Sequence, residues 1–232
     1  MKKRLLSLLL ALSMLLSLLP APVLAAERTS ASAPAAGSTT ASGVSANPFT
    51  DVKEGSWYYD AVQYVRVNGM FNGTSETTFT PNGTLTRGMF VTVLGRMAGV
   101  KAADYTGATG FADVSGDSYC APYVKWAVQY GITTGTGDGR FSPNAPVTRE
   151  QMAAFLVRYF EAFGVSYETG ANVTTQPADL ASVSDWARDA VSKLWKQGLL
   201  NGDGTNFNPK NGATRAETAA VCMRLDRAVK TW

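Results

Sequence analysis

The chain of 232 residues carries 21 Lys and Arg against 18 Asp and Glu, no histidine and two cysteines. Without an imidazole neither a Ser-His-Asp nor a Cys-His nucleophile pair can be built, and two Cys cannot supply the four ligands of a structural zinc site. The formal excess of +3 lies wholly in Lys2, Lys3 and Arg4, so the rest is formally neutral, has no basic cluster, and is not expected to bind nucleic acid.

Residues 1–25 begin with those basic residues, continue as a leucine-rich run to Leu19 and end in small residues around Ala25. This pattern predicts a secretory signal peptide. Pro20 stops the apolar run short of the roughly 20 residues of a membrane span, so no membrane attachment is expected after cleavage. No Cys stands just after the cleavage site to take a lipid. Residues 26–47 are small, polar and aperiodic, and read as a disordered linker.

The remainder is written three times, with boundaries at 48–104, 105–168 and 169–232. Phe49-Thr50-Asp51-Val52 recurs as Phe111-Ala112-Asp113-Val114, each 37 residues before a Thr-Arg pair, Thr86-Arg87 and Thr148-Arg149. The same count back from Thr214 reaches Pro177, with Asp179 in register. Phe79, Phe141 and Phe207, and two places on Pro81, Pro143 and Pro209, share the frame. A period of about 60 residues therefore organises the chain.

Each copy predicts a first helix from near Trp57, Tyr119 or Trp186 to Gly69, Gly131 or Gly198, where glycine suits a left-handed helix end. A turn-rich loop follows, and a second helix opens at Thr86, Thr148 or Thr214. Its apolar stripe (Phe90, Val93, Leu94, Met97; Met152, Phe155, Leu156, Tyr159) keeps offsets of three, four and seven. Two short helices cannot enclose a core alone. The expectation is a mostly α body of three helix-loop-helix units with pseudo-threefold symmetry. Cys222 takes the place of Leu94 and Leu156, which favours a buried free thiol over a disulfide with Cys120.

The helix openings predict capping boxes: Thr214 with Glu217, Thr148 with Gln151, and only half a box for Thr86 with Met89. Capping does not require the adjacent Arg87, Arg149 and Arg215, which stand at the first helical position against the helix dipole. Two uses remain open: a receptor in which guanidinium and free helix N–H groups bind a carboxylate, or an internal bridge to Asp51, Asp113 or Asp179. Trp57, Tyr119 and Trp186 read either as core or as platforms for a sugar ring. The loops ending at Gly139 and Gly204 lack the ligands of a calcium site and the pattern of a phosphate loop. They read as tight turns, whose glycines would also let a ligand approach the backbone. No metal or cofactor is expected.

The F-x-D-V opening, the Trp-containing helix ending in glycine, the G-D-G-x-F-x-P-N loop and Thr214-Arg215-Ala216-Glu217 together resemble a triplet of surface-layer homology (SLH) repeats. The resemblance implies a three-pronged, pseudo-trimeric bundle that anchors exported proteins non-covalently to the bacterial cell wall. It implies as ligand a secondary cell-wall polysaccharide bearing pyruvate ketals, or in some relatives modified peptidoglycan, held in grooves between repeats. Contacts are then expected from Arg87, Arg149, Arg215, Thr148, Thr214, Glu217, Asp51, Asp113, Asp179, Trp57, Tyr119, Trp186, Gly139 and Gly204. The first copy has Met89 where the motif has Glu, and Asn72-Gly73-Thr74 without the loop Asp, so unequal grooves are expected. The expected role is a monomeric, non-enzymatic anchor at the cell surface. The alternatives are a self-assembling surface-layer component and, further off, a small wall hydrolase using paired carboxylates.

Overall fold

The computed structural model describes residues 47–166, 169 and 171–229. The expected signal peptide and all but the last residue of the expected linker lie outside the described residues. Six α-helices follow in order: α1 Tyr59–Val67, α2 Arg87–Met97, α3 Ala121–Gln129, α4 Arg149–Phe163, α5 Asp185–Lys196 and α6 Arg215–Val229. The described residues form no β-strand beyond isolated bridges.

The punctuation read from the sequence acts as its chemistry dictates. Gly69, Gly131 and Gly198 adopt φ of 68°, 68° and 63°. The chain then turns so that the N–H of Met70, Ile132 and Leu199 donates back to Val65, Ala127 and Leu194, closing each first helix and burying the residue after the glycine. The second helices open on Thr86, Thr148 and Thr214, whose hydroxyls accept from the N–H three residues on. Gln151 and Glu217 reach back to the N–H of Thr148 and Thr214, whereas Met89 has no acceptor to do so.

The helices pair across the copies. α2 packs on α3, α4 on α5, and α6 on α1, so each of three prongs takes its second helix from one copy and its first helix from the next. Buried Glu150 pins the α4–α5 prong by accepting from the Ser184 N–H and hydroxyl and from Lys210. Gly88 at the corresponding place in α2 is tightly enclosed: a Cβ would stand 3.0 Å from Pro143 O, 3.1 Å from the Tyr119 hydroxyl and 3.2 Å from Cys120 Sγ.

At the junction of the prongs three extended residues close a ring. Leu85 N–H donates to Ala213 O at 2.9 Å, Ala213 to Val147 at 3.0 Å, and Val147 to Leu85 at 2.9 Å. All three are fully buried, as are Phe79, Phe141 and Phe207. Each such phenylalanine is worth about 1.5–3 kcal/mol in removed apolar surface. Cys120 and Cys222 are both buried and unpaired with each other. Burial raises the Cys222 thiol to about 12.

Candidate functional site

The recurring aspartates turn out to be backbone clamps. Asp51 accepts from Phe79 and Thr80 N–H, Asp113 from Phe141 and Ser142, and Asp179 from Phe207 and Asn208, at 2.7–2.9 Å. The second residue of each pair is a non-glycine at positive φ (Thr80 56°, Ser142 60°, Asn208 58°). Such a residue is strained by about 1 kcal/mol or more, and the carboxylate holds it there. For Asp113, burial alone would raise the carboxyl, but the Phe141 and Ser142 N–H groups outweigh it and hold it below the usual range.

The peptide so clamped is also held from its carbonyl side, by an arginine of the preceding copy. Arg87 Nε donates to Phe141 O at 2.8 Å, Arg149 Nε to Phe207 O at 2.8 Å, and Arg215 Nε to Phe79 O at 2.6 Å. The arginine–aspartate bridge that the sequence left open as one alternative is found only in relayed form, as Asp–peptide–Arg. The intervening peptide dipole is aligned with both charges, an arrangement in which each hydrogen bond strengthens the other. The guanidiniums are buried over phenylalanine rings, 4.8 Å from Phe141 for Arg87, 5.4 Å from Phe207 for Arg149 and 4.6 Å from Phe79 for Arg215. Burial lowers Arg87 and Arg215 to about 10, with Asp113 and Asp51 opposing the shift, so both stay protonated at neutral pH.

The helix N-termini do not offer free donors, which corrects the simpler receptor scheme. The N–H groups of Arg87, Arg149 and Arg215 donate to Ala145, Asn211 and Gly83, and those of Gly88, Glu150 and Ala216 to Pro143, Pro209 and Pro81. The third N–H is taken by the capping Thr. Neighbouring copies thus satisfy the donors that an external anion would need. What remains for a ligand is the outer edge of the guanidiniums.

Two cavities lie on that edge. The first, of about 420 Å³, is lined by Arg87, Gln151, Phe155, Arg158, the Thr133–Gly137 turn and Trp186. The second, of about 300 Å³, is built on the same plan from Arg149, Glu217, Val221, Arg224, the Leu200–Gly202 turn and Trp57. Each cavity draws on all three copies: an arginine from one, a turn and second helix from the next, an aromatic from the remaining one. In the corresponding third place one Nη of Arg215 donates to Asn72 O at 2.8 Å and the guanidinium lies 4.3 Å from the Phe71 ring.

The two tryptophans are exposed, 66% for Trp57 and 54% for Trp186, which excludes the core reading for both. Tyr119 is exposed too and lines neither cavity. Thr148 and Thr214 serve as caps, the three aspartates as clamps, and none of these lines either cavity. Gly139 and Gly204 also stand outside both linings; the turn glycines at the cavities are Gly135, Gly137 and Gly202. Arg158 and Arg224 were not singled out from the sequence. Their signal was present: Arg96, Arg158 and Arg224 each follow the Thr-Arg arginine by nine residues.

The sequence profile of the S-layer homology domain matches residues 48–88, 110–153 and 178–219. The chain belongs to that family. S-layer homology repeats are cell-surface anchoring modules, and the three copies here place the protein at the cell surface. Relatives include an amylopullulanase of Thermoanaerobacterium thermosulfurigenes, 35% identical over 76% of this chain, and an endoglucanase of Bacillus sp. (strain KSM-635), 35% identical over 82%. The S-layer protein sap of Bacillus anthracis is 28% identical over 79% of it. The chain spans only 9%, 20% and 22% of those three proteins.

Proposed function

We propose that this S-layer homology triplet anchors non-covalently to the cell wall by capturing an acidic wall polysaccharide, of the pyruvate-ketal type, in the grooves between its repeats. One observation carries the reading. Arg87 is buried, protonated at neutral pH, lines the larger cavity, and has one Nη atom without a hydrogen-bond partner among the described residues. A carboxylate in the cavity would meet the positive potential of Arg87 and Arg158, which no carboxylate of the lining offsets. Exposed Trp186 supplies the flat apolar surface that a sugar ring stacks on. The second cavity, with Trp57 and Arg149, adds a further contact on a repeating polymer, so weak single sites gain by avidity. The relatives named as S-layer and cell-surface proteins support the same role.

The test is co-sedimentation of the mature chain with purified cell walls, before and after extraction of the non-peptidoglycan polysaccharide, alongside Arg87→Ala and Trp186→Ala. The expected result is binding that disappears with the polysaccharide and weakens at least tenfold in folded variants, about 1.4 kcal/mol. Retention on extracted walls equal to that on intact walls would refute the polysaccharide reading and point to peptidoglycan.

A further inference from the structure

The two cavities share a plan and differ at one decisive place. Each pairs the groove arginine with a second arginine nine residues into the next copy's helix, Arg87 with Arg158 and Arg149 with Arg224. The third residue of that helix lines each cavity with them and bonds the groove arginine. In the first cavity this is Gln151, whose Oε1 accepts from Arg87 Nη1 at 3.1 Å and from the Thr148 N–H. In the second it is Glu217, whose Oε1 pairs with Arg149 Nη1 at 2.9 Å while Oε2 caps Thr214. No carboxylate lines the first cavity, and among the described residues Arg158 has no ion-pair partner. The clamping aspartates do not alter the comparison, because Asp113 faces Arg87 through one peptide just as Asp179 faces Arg149.

We infer that this single helix position sets the charge specificity of each groove: Gln151 makes the first cavity the receptor for the acidic residues of the wall glycan, and Glu217 makes the second a site for its neutral sugars. The inference rests on the reading of the grooves as glycan sites. The first cavity is lined by two guanidiniums and no carboxylate, and a ligand carboxylate entering it is attracted by both. In the second, an incoming carboxylate meets the Glu217 charge beside the arginine it would need. That arginine already has its partner. A neutral pyranose loses nothing there, since Trp57, Val221 and Leu200 offer an apolar face, and Glu217 and Arg224 can hydrogen-bond its hydroxyls. An anionic polymer with alternating acidic and neutral residues would therefore bind in one register.

The isosteric swaps Gln151→Glu and Glu217→Gln test this, because each residue already performs the same capping bond in the sister copy, so both variants keep their helix starts. Trp186 and Trp57 give each cavity its own reporter in the indole N–H region of a ¹⁵N spectrum of the full chain. The probes are oligosaccharides cut from purified wall polysaccharide, and the same oligosaccharides after reduction of their carboxyl groups to alcohols. A unit charge added or removed within a few ångströms of the ligand carboxylate should shift affinity at least about tenfold. Acidic probes are expected to perturb Trp186 at lower concentration than Trp57, and carboxyl reduction to abolish that preference while leaving the Trp57 response. Gln151→Glu should weaken the Trp186 response to the acidic probe about tenfold, and Glu217→Gln should strengthen that of Trp57 about tenfold. If neither indole responds to either probe, the grooves are not glycan sites and the reading of function itself fails. If both respond but the swaps leave the acidic titrations unchanged, glycan binding stands and the charge assignment is wrong.

Discussion

Asp113→Ala removes the acceptor for two backbone N–H groups, Phe141 and Ser142, both at 2.8 Å. A hydrogen bond to a charged acceptor is worth about 1.5–3 kcal/mol. Asp113 is half-buried, so the lower end applies, and the pair should be worth about 3 kcal/mol. Released from the clamp, Ser142 can also leave its left-handed conformation, which lowers the energy of the loosened loop but not of the native one. For a folded body of this size 1 kcal/mol corresponds to about 2–4 °C, so the melting temperature should fall by about 6–12 °C. Asp113→Asn keeps one acceptor and should fall by about half as much. Thermal unfolding followed by far-ultraviolet circular dichroism measures both. The relay adds a second requirement: because Arg87 grips the carbonyl of the peptide whose N–H Asp113 holds, the double variant with Arg87→Ala should deviate from additivity by about 0.5–2 kcal/mol. An Asp113→Ala protein that melts within a degree of wild type, or a strictly additive cycle, would show that the clamp and relay are geometry without energetic weight.

The same clamp has an acid signature. The folded carboxyl of Asp113 sits below its free value of 3.8, so its contribution is complete above that value and is lost as pH falls through the lower folded one; Asp113→Ala should flatten the acid limb of stability against pH. The Cys222 thiol runs the other way, its folded value of about 12 standing above the free 9.0, so stability present below pH 9 should decline as pH rises toward 12, and Cys222→Ala should remove that slope. Both buried thiols should resist an aromatic disulfide reagent in the native state and react in denaturant. Gly202→Ala would place a Cβ 1.8 Å from Asn206 O, whereas Gly139→Ala meets nothing within 4 Å. Urea titration should give the first a loss of at least about 3 kcal/mol and the second about 1 kcal/mol, the cost of positive φ alone.

Much of this architecture is local, and that part was readable. Glycine after a helix, threonine before one, and an apolar stripe of helical period each act through residues a few places apart. The different surroundings of Arg215 were also foreshadowed, since Met89 and the Asn72 turn depart visibly from their sister copies. The closure of the molecule was not. The ring through Leu85, Val147 and Ala213 and the pairing of α6 with α1 depend on contacts between residues more than 60 positions apart. The arginines illustrate the same division. Their recurrence was plain, and so was the existence of an unusual partner. That the partner would be a peptide carbonyl of the next copy, and that neighbouring carbonyls would use up the helix N–H groups, required the three-dimensional arrangement. Arg158 and Arg224 were overlooked because a charged residue late in an amphipathic helix ordinarily marks only the solvated face. The three aspartates recurred visibly in frame with Phe79, Phe141 and Phe207, but their task of holding the N–H groups of a loop 28 residues on shows only in the fold.

The pairing of helices across copies also limits how such a protein can change in length. In an open stack each added unit finds a free end to rest on. Here the last helix rests on the first, and a duplicated copy would arrive with two helices whose partners are already engaged with each other. To be admitted it must break the α1–α6 pair and widen the three-residue ring at the centre, so growth by one is frustrated. Growth by three is not, since a second complete triplet could close on itself beside the first. The arithmetic of the fold favours multiples of three.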